Sequence, residues 1–379
     1  MTRKAVIAGG GIGGLTAAVA LTKAGWDVTV CEQAPALTPA GFAISLAPNA
    51  LRALDTLGIG DDIRALGAPD LNSGIRLPDG EWLTRAGMGD LIERHGEGLL
   101  LLRRSDLIDV LAKGVPDLRL DTTVEGIALA TAGPRLVTSD GDLTADLVVA
   151  ADGANSVLRR LLFPQHPGLT YAGYGAFRWL ARMPGVDLVA AETWGNGERF
   201  GIMPMAGDDV YAFAVFNARP GRTYADPRAE LRRRFAGWHE PVGALIAAAE
   251  DVQHHDVYEL AAPLPAFCIG QVALLGDAAH AMTPNLGQGG CQSIEDAVVL
   301  AHHLRAYDVR RGLAAYSRAR RPRTLAVART ARQLGLVAGL SSPLGVRVRD
   351  SVFRLSGKLP PRLNGRPMDG LLDWRPPRI

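Results

Sequence analysis

Cysteine is scarce: Cys31, Cys268 and Cys291 are the only three in 379 residues, far apart and without a CxxC. That spacing excludes a disulfide framework and a thiolate zinc site, and it points to a reducing, cytoplasmic setting. Lysine is nearly missing as well, with four Lys among 41 basic residues, a bias that reads as genome composition rather than function. A formal net charge of +2 leaves no basic surplus to recruit nucleic acid. No apolar run approaches the ~18 residues of a membrane span. The N-terminus pairs basic residues with an apolar run, but glycines end that run after about five residues, short of the ~7 that a signal sequence needs. Internal repeats and low-complexity linkers are absent too. The chain is long enough for two domains or one composite domain, and 47% apolar residues supply a sizeable core.

The chain opens as a strand, a helix and a strand. Ala5, Val6, Ile7 and Ala8 form a short buried run, helical periodicity follows from Ile12 to Lys23 with a stop at Gly25, and Val28 to Cys31 make the next strand. This βαβ start predicts a parallel, doubly wound sheet. Residues 47–57 and 104–112 read as helices, 71–83 as short strands around a turn at Pro78, Asp79 and Gly80, and 147–150 as another buried strand. Between residues 169 and 260 the texture changes to alternation such as YAFAVF (211–216), which predicts half-buried antiparallel strands interrupted by a helical piece over 227–249. A second βα signature begins at Val272. After Tyr316 the chain is Arg-rich and mostly helical, ending in a Pro-rich tail from Leu359. The fold class is α/β in an α+β composite, with a Rossmann-like part, an inserted mostly antiparallel sheet and C-terminal helices.

Residues 9–14 (GGGIGG) satisfy GxGxxG through Gly9, Gly11 and Gly14, for a tight turn, close backbone approach to a pyrophosphate, and helix-on-strand packing. The flanking strand and helix, with Glu32 ending the second strand, give the pattern its specificity, because a carboxylate there can accept both hydroxyls of an unphosphorylated ribose. DGANSVLR (152–159) is either a ligand loop led by Asp152 or a turn that caps a helix. Arg104 either holds a phosphate or pairs with an acid. Residues 276–290 (GDAAHAMTPNLGQGG) carry the most information: a buried strand, an acid at the loop mouth, a Pro turn, and a Gly-rich start to a helix spanning about 291–304. The neighbours His254 and His255 point to different sides of a strand, and His302 and His303 to different sides of a helix, so neither pair is a metal site.

These motifs, in this order over roughly residues 1–330, resemble the single-component flavin-dependent aromatic hydroxylases, the FAD monooxygenases with the p-hydroxybenzoate hydroxylase fold. Residues 41–50 (GFAISLAPNA) look like the family's loop and helix after the second strand, 152–153 like its second fingerprint, linked to FAD and NAD(P)H, and 276–297 like its third. The resemblance implies roles for single residues. Glu32 binds the adenosine ribose, Arg104 the phosphate or ribityl region, and Val124 the adenine through its backbone. Asp277 holds a ribityl hydroxyl or nearby phosphate, Pro284 lies on the isoalloxazine, and the amides of residues 286–289, Gly287 and Gly289 among them, face its pyrimidine edge. A helix N-terminus there stabilises the negative charge of reduced flavin. His280 is read as structural rather than as a base, Cys291 as packing, and Arg318, Arg320, Arg321 and Arg323 as a solvated or ion-paired face. The implied domains are a discontinuous FAD-binding part (1–70, 100–165, 266–330), a substrate-binding part (71–99, 166–265) and a C-terminal helical segment and tail (331–379).

By the same resemblance, NADPH or NADH reduces the flavin, O2 gives a C4a-hydroperoxide, and one oxygen atom passes to a small aromatic or heteroaromatic substrate by hydroxylation or epoxidation. The residues beyond Arg323 are expected to leave no room for a separate nicotinamide domain, and the resemblance implies that the nucleotide binds transiently. The substrate space is expected between the inserted sheet and Pro284, lined by residues 177–179, 199–204 and 211–216. The stretch from Gly197 to Pro204, with Tyr211 beyond, looks most like the salicylate hydroxylase and FAD-dependent urate hydroxylase branch. There Arg199 and Tyr211 serve the substrate, Arg199 as an anchor for an anion and Tyr211 in proton transfer. The alternatives are an ion pair of Arg199 with Glu198 or Glu192, and Tyr211 as sheet packing. The WxWxIP pattern of flavin halogenases is absent, since Leu180 follows Trp179. A flavin-dependent reductase of the same fold and a non-catalytic flavin-binding module remain as alternatives. The expected assembly is a monomer or homodimer.

Overall fold

The computed structural model describes residues 2–37, 42–69, 72–130, 133–357 and 366–379. Its centre is a six-stranded sheet in the order Cys268–Ile269, Val272–Leu274, Leu147–Ala150, Lys4–Ala8, Asp27–Cys31, Asp117–Arg119. All neighbouring pairs are parallel except the first. Leu147–Ala150 is buried at every position, as a parallel strand covered on both faces requires. The helices Ile12–Lys23 and Gly289–Ala306 pack against each other and are largely buried. The long helix Val309–Ala338 turns Leu313, Tyr316, Arg320, Thr324, Val327 and Ala331 inward, a spacing of three to four residues.

The second sheet has seven strands in the order Gln253–Leu260, Leu169–Arg182, Asp209–Asn217, Glu198–Pro204, Ala191–Trp194, Asn72–Arg76, Trp82–Gly87. It is antiparallel apart from the pairing of Ala191–Trp194 with Asn72–Arg76. Period-two alternation divides it into two faces. Phe177, Trp179, Phe200, Ile202, Ala212, Ala214 and Phe216 form a core with the helices Pro227–Arg234 and Val242–Ala247. Tyr174, Arg178, Arg199, Tyr211 and Phe213 occupy the other face, with Arg178 in register with Phe213, and Phe213 with Gly201.

The helical piece expected over 227–249 is in fact two short helices. Gly237, with φ of 78°, and Pro241, which starts the second, break it between them. The expected strands around Pro78 are Asn72–Arg76 and Trp82–Gly87, and Gly80 N donates to Leu77 O across the turn. Leu71, Gly41 and the start of the Pro-rich tail lie outside the described residues. No helix among the described residues is long and apolar enough to cross a membrane, and all three cysteines are free.

Candidate active site

The first loop is built on glycines that nothing larger can replace. A Cβ on Gly14 would stand 1.9 Å from Gly9 O, and one on Gly9, at φ of +106°, would stand 2.4 Å from Ala151 O. At Gly11, by contrast, a Cβ would project into open space, where the backbone is free to approach a ligand. Glu32 lies beside this loop, its carboxylate accepting Gly10 N at 2.6 Å and Ala34 N at 2.9 Å. Val124 begins the strand Val124–Ala130, just after Thr122, whose N–H donates to Glu32 O. Asp152 is engaged within its own turn. Its two oxygens accept Ser156 Oγ at 2.6 Å and Leu158 N at 3.0 Å, the capping arrangement left open by the sequence.

Arg159, to which no role was assigned from sequence, ties this turn to the third motif. The residue is 2% exposed, and its guanidinium donates to the carbonyls of Ala154, Asp277 and Ala278. Asp277 heads the short helix Asp277–His280 with an exposed side chain, and Pro284 and Gly287 are exposed along the same loop. Gly287 is left-handed (φ 63°), and its N–H is already bonded to Pro284 O. The remaining amides at the start of Gly289–Ala306 keep the unpaired N–H groups of a helix N-terminus. A Cβ would meet nothing at Gly153, Gly287 or Gly289. Arg104 opens the helix Arg104–Lys113, and its buried Nε has no partner among the described residues. Burial and the nearby Arg178 pull its pKa below the usual arginine value, against the pull of the Asp277 carboxylate. A buried cation with its Nε unpartnered among the described residues, an exposed acid and four open glycine positions fit an elongated, phosphate-bearing cofactor such as FAD.

Behind the loop stands a buried ionic network. Asp296, 0% exposed, accepts Gly276 N at 2.9 Å, pairs with His280 Nε2 at 2.6 Å, and accepts Arg320 Nε at 2.6 Å. Glu295 binds Arg320, Arg323 and Asn49 Nδ2. Burial raises both carboxyls, but the positive partners prevail and hold them below their ordinary values: His280 and Arg320 at Asp296, Arg320 and Arg323 at Glu295. His280 is thus held through Nε2 against Asp296, with its Nδ1 unpartnered among the described residues. In the arginine cluster the ion-paired reading holds for Arg320 and Arg323, inside the protein, and the solvated one for Arg318 and Arg321. Arg318 and Arg321 are exposed, whereas Arg320 is fully buried and Arg323 partly so. The signal in the sequence was the spacing of Arg320 from Leu313 and Tyr316, which puts it on the helix's apolar face.

Across from the loop, Arg199 is 4% exposed. It donates to Glu192 Oε1 at 3.1 Å and to Asn285 Oδ1 at 3.0 Å. Its ion pair is with Glu192 rather than Glu198, which pairs with Arg234. Tyr211 is half-buried beside Phe213 (ring centroids 5.9 Å), and burial lifts its phenol above the ordinary value, with Arg178 opposing. Arg178 is a second candidate that sequence reasoning placed only as lining. His254 sits in an aromatic cluster with Phe177, Phe216 and Tyr224, away from Asn285 and Arg199. A separate cleft of about 230 Å³, walled by Phe267, His280, Ala281 and Arg329, contains none of Arg104, Arg199, Tyr211 or Pro284.

The family described as FAD binding domain matches residues 2–331. Aurachin C monooxygenase/isomerase of Stigmatella aurantiaca is 39% identical over 307 residues, covering 79% of this chain and 80% of that protein. FAD-dependent urate hydroxylase of Klebsiella pneumoniae is 35% identical over 318 residues, 78% and 80% of the two chains. The crystal structure of Klebsiella pneumoniae HpxO complexed with FAD and uric acid superposes with a TM-score of 0.88 at 31% identity, covering 98% of this chain and 96% of that one. With the glycine loop, Arg104 and the third motif in place, this chain belongs to that FAD-binding family and is an FAD-dependent monooxygenase of the aromatic hydroxylase type.

Proposed function

We propose that the chain consumes NADPH or NADH and O2 to place one oxygen atom on a small aromatic or heteroaromatic substrate lying between the seven-stranded sheet and Pro284. The observation that carries this reading is the convergence of Arg199, Tyr174, Arg178 and Tyr211 on one sheet face opposite the turn Pro284–Leu286. Bound FAD, once reduced, supplies the oxygen activation. Gly11, Glu32, Arg104, Val124, Asp277, Gly287 and Gly289 hold it, with Asp152 shaping the turn beside it. The protein's own tasks are orientation, exclusion of water and handling of one proton.

Arg199 anchors a carbonyl or anionic oxygen of the substrate, oriented by Glu192. Tyr211, a neutral phenol at physiological pH whose pKa burial raises further, donates a hydrogen bond to a substrate oxygen. Arg178 adds positive potential to the same space, which favours an electron-rich, anionic or enolate-like ring. The relatives named for urate and for aurachin C support a heteroaromatic substrate. The segments 1–70, 100–165 and 266–330 make the FAD part, 71–99 and 166–265 the substrate part, and 331–379 the C-terminal segment. A cytoplasmic location suits the free cysteines.

The test is NADH and NADPH oxidation by purified holoprotein, followed together with O2 uptake over a panel of purines, phenols and polyketide-like aromatics. Substrate-dependent O2 consumption with one oxygen atom gained by the product supports the reading. Nucleotide oxidation with substrate reduction and no O2 uptake would make the chain a flavin-dependent reductase, and bound flavin without any turnover would make it a binding module.

A further inference from the structure

Asn285 is the point where the sheet, the cofactor loop and the long helix meet, and no motif assignment uses it. Its Oδ1 accepts Arg199 at 3.0 Å and the Tyr174 hydroxyl at 3.3 Å. Its Nδ2 lies 2.8 Å from Ala331 O, 3.0 Å from Thr283 Oγ1 and 3.0 Å from the Tyr174 oxygen. An amide nitrogen has two protons, so these three acceptors share two bonds, and Tyr174 can act as donor or acceptor. The space for the amide depends on Gly335, one turn beyond Ala331, where a Cβ would stand 2.4 Å from Nδ2. One side chain thus joins two strands of the sheet, the turn that carries Pro284, and the helix Val309–Ala338.

We propose that Asn285 is a positioning residue that relays occupancy of the substrate space, sensed at Arg199, to the turn carrying Pro284. The proposal rests on the function proposed above. In the structure Arg199 divides its donors between a carboxylate, Glu192, and a neutral amide, Asn285. Both bonds are charge-assisted through the guanidinium, but only the one to Glu192 also pairs opposite full charges, so the amide bond is the weaker of the two. A substrate oxygen arriving at Arg199 therefore displaces the Asn285 bond and leaves the Glu192 pair intact. Released from Arg199, Asn285 keeps its bonds to Tyr174, Thr283 and Ala331, and the turn is no longer tied to the strand Glu198–Pro204. Without substrate the tie holds the turn in its resting position and restrains wasteful NAD(P)H oxidation.

The experiment measures NADH oxidation by FAD-loaded protein with no substrate added. Asn285→Ala removes the tie, and Gly335→Ala displaces the amide without altering Asn285. Both should raise the substrate-free rate roughly five- to tenfold, the effect of losing one net hydrogen bond, with FAD content unchanged. A second readout needs no cofactor: in the apoprotein, the melting shifts of Arg199→Gln and Asn285→Ala should be non-additive, since the two variants remove the same bond. An unchanged substrate-free rate in Asn285→Ala, or strictly additive melting shifts, overturns the relay. Absence of any NAD(P)H oxidation under all substrates in the parent sinks the oxygenase reading itself, and the melting cycle then still reports whether Arg199 and Asn285 are coupled.

Discussion

Replacing Arg320 with Gln removes the cation on which two fully buried carboxylates depend. Glu295 and Asp296 are each 0% exposed, and Arg320 donates to both as well as to Gln292 Oε1 at 2.8 Å. Arg323 still covers Glu295, but Asp296 keeps only Gly276 N and His280. Removing one partner of a buried pair costs about 3–5 kcal/mol. At the ~2 °C per kcal/mol expected of a larger chain, that is a fall in melting temperature of roughly 6–10 °C. Function should follow stability, because Asp296 positions Gly276 and His280 on either side of Asp277. Arg320→Gln protein should therefore lose FAD on gel filtration under conditions in which the parent retains it. Thermal denaturation with flavin absorbance reads both effects, and Arg318→Gln, on the exposed side of the same helix, serves as the control and should stay within about 1 °C of the parent. An Arg320→Gln variant that melts within about 2 °C of the parent and stays yellow would refute the reasoning.

Gly14→Ala forces a Cβ to within 1.9 Å of Gly9 O; the expected destabilisation is about 3 kcal/mol or more with loss of FAD, checked by denaturant titration and flavin content. Arg199→Gln should raise KM for an anionic substrate roughly 10- to 100-fold, the loss of a charge-assisted bond, with a smaller effect on FAD binding. Acid stability follows the network. Glu295 and Asp296 have folded values below the ordinary 4.5 and 3.8, so their contribution is complete above about pH 4.5 and is lost as pH falls through the depressed folded values. Melting curves between pH 6 and pH 3 should fall steeply in the parent and more gently in Asp296→Asn. Burial pushes the Cys31 thiol up to about 11 and the Cys291 thiol up to about 12, so neither should react with a thiol reagent at pH 8 until the protein is unfolded.

The parts of the fold legible in the sequence are those where local pattern and tertiary burial agree. The helix Ile12–Lys23 and the strand before it announce themselves through glycine punctuation and a continuous apolar run, and the helix Gly289–Ala306 through its glycine-rich start. The cofactor loops were legible for the same reason, since close backbone approach demands glycine at fixed spacing. Arg320 was harder to read. A charged residue among other arginines looks solvated, and only the helical phase relative to Leu313 and Tyr316 marks it as interior. Asp152 was ambiguous because Asp-Gly serves a capped turn and a ligand loop equally well, and the choice depends on where Ser156 points. Asn285 was invisible because its partners, Tyr174, Arg199 and Ala331, come from distant parts of the chain. The sheet face that carries Tyr211 and Phe213 was visible as alternation in residues 211–216, but the register that sets Arg178 beside Phe213 comes from strand pairing, which local pattern does not encode.

The most direct measurement is mass analysis of product formed by FAD-loaded protein under isotope-labelled O2, with NADH or NADPH as reductant and the substrate panel described above. The account expects one labelled oxygen atom in the product, formed with stoichiometric nucleotide oxidation. A product carrying no label, or nucleotide oxidation that proceeds equally well without O2, would contradict it.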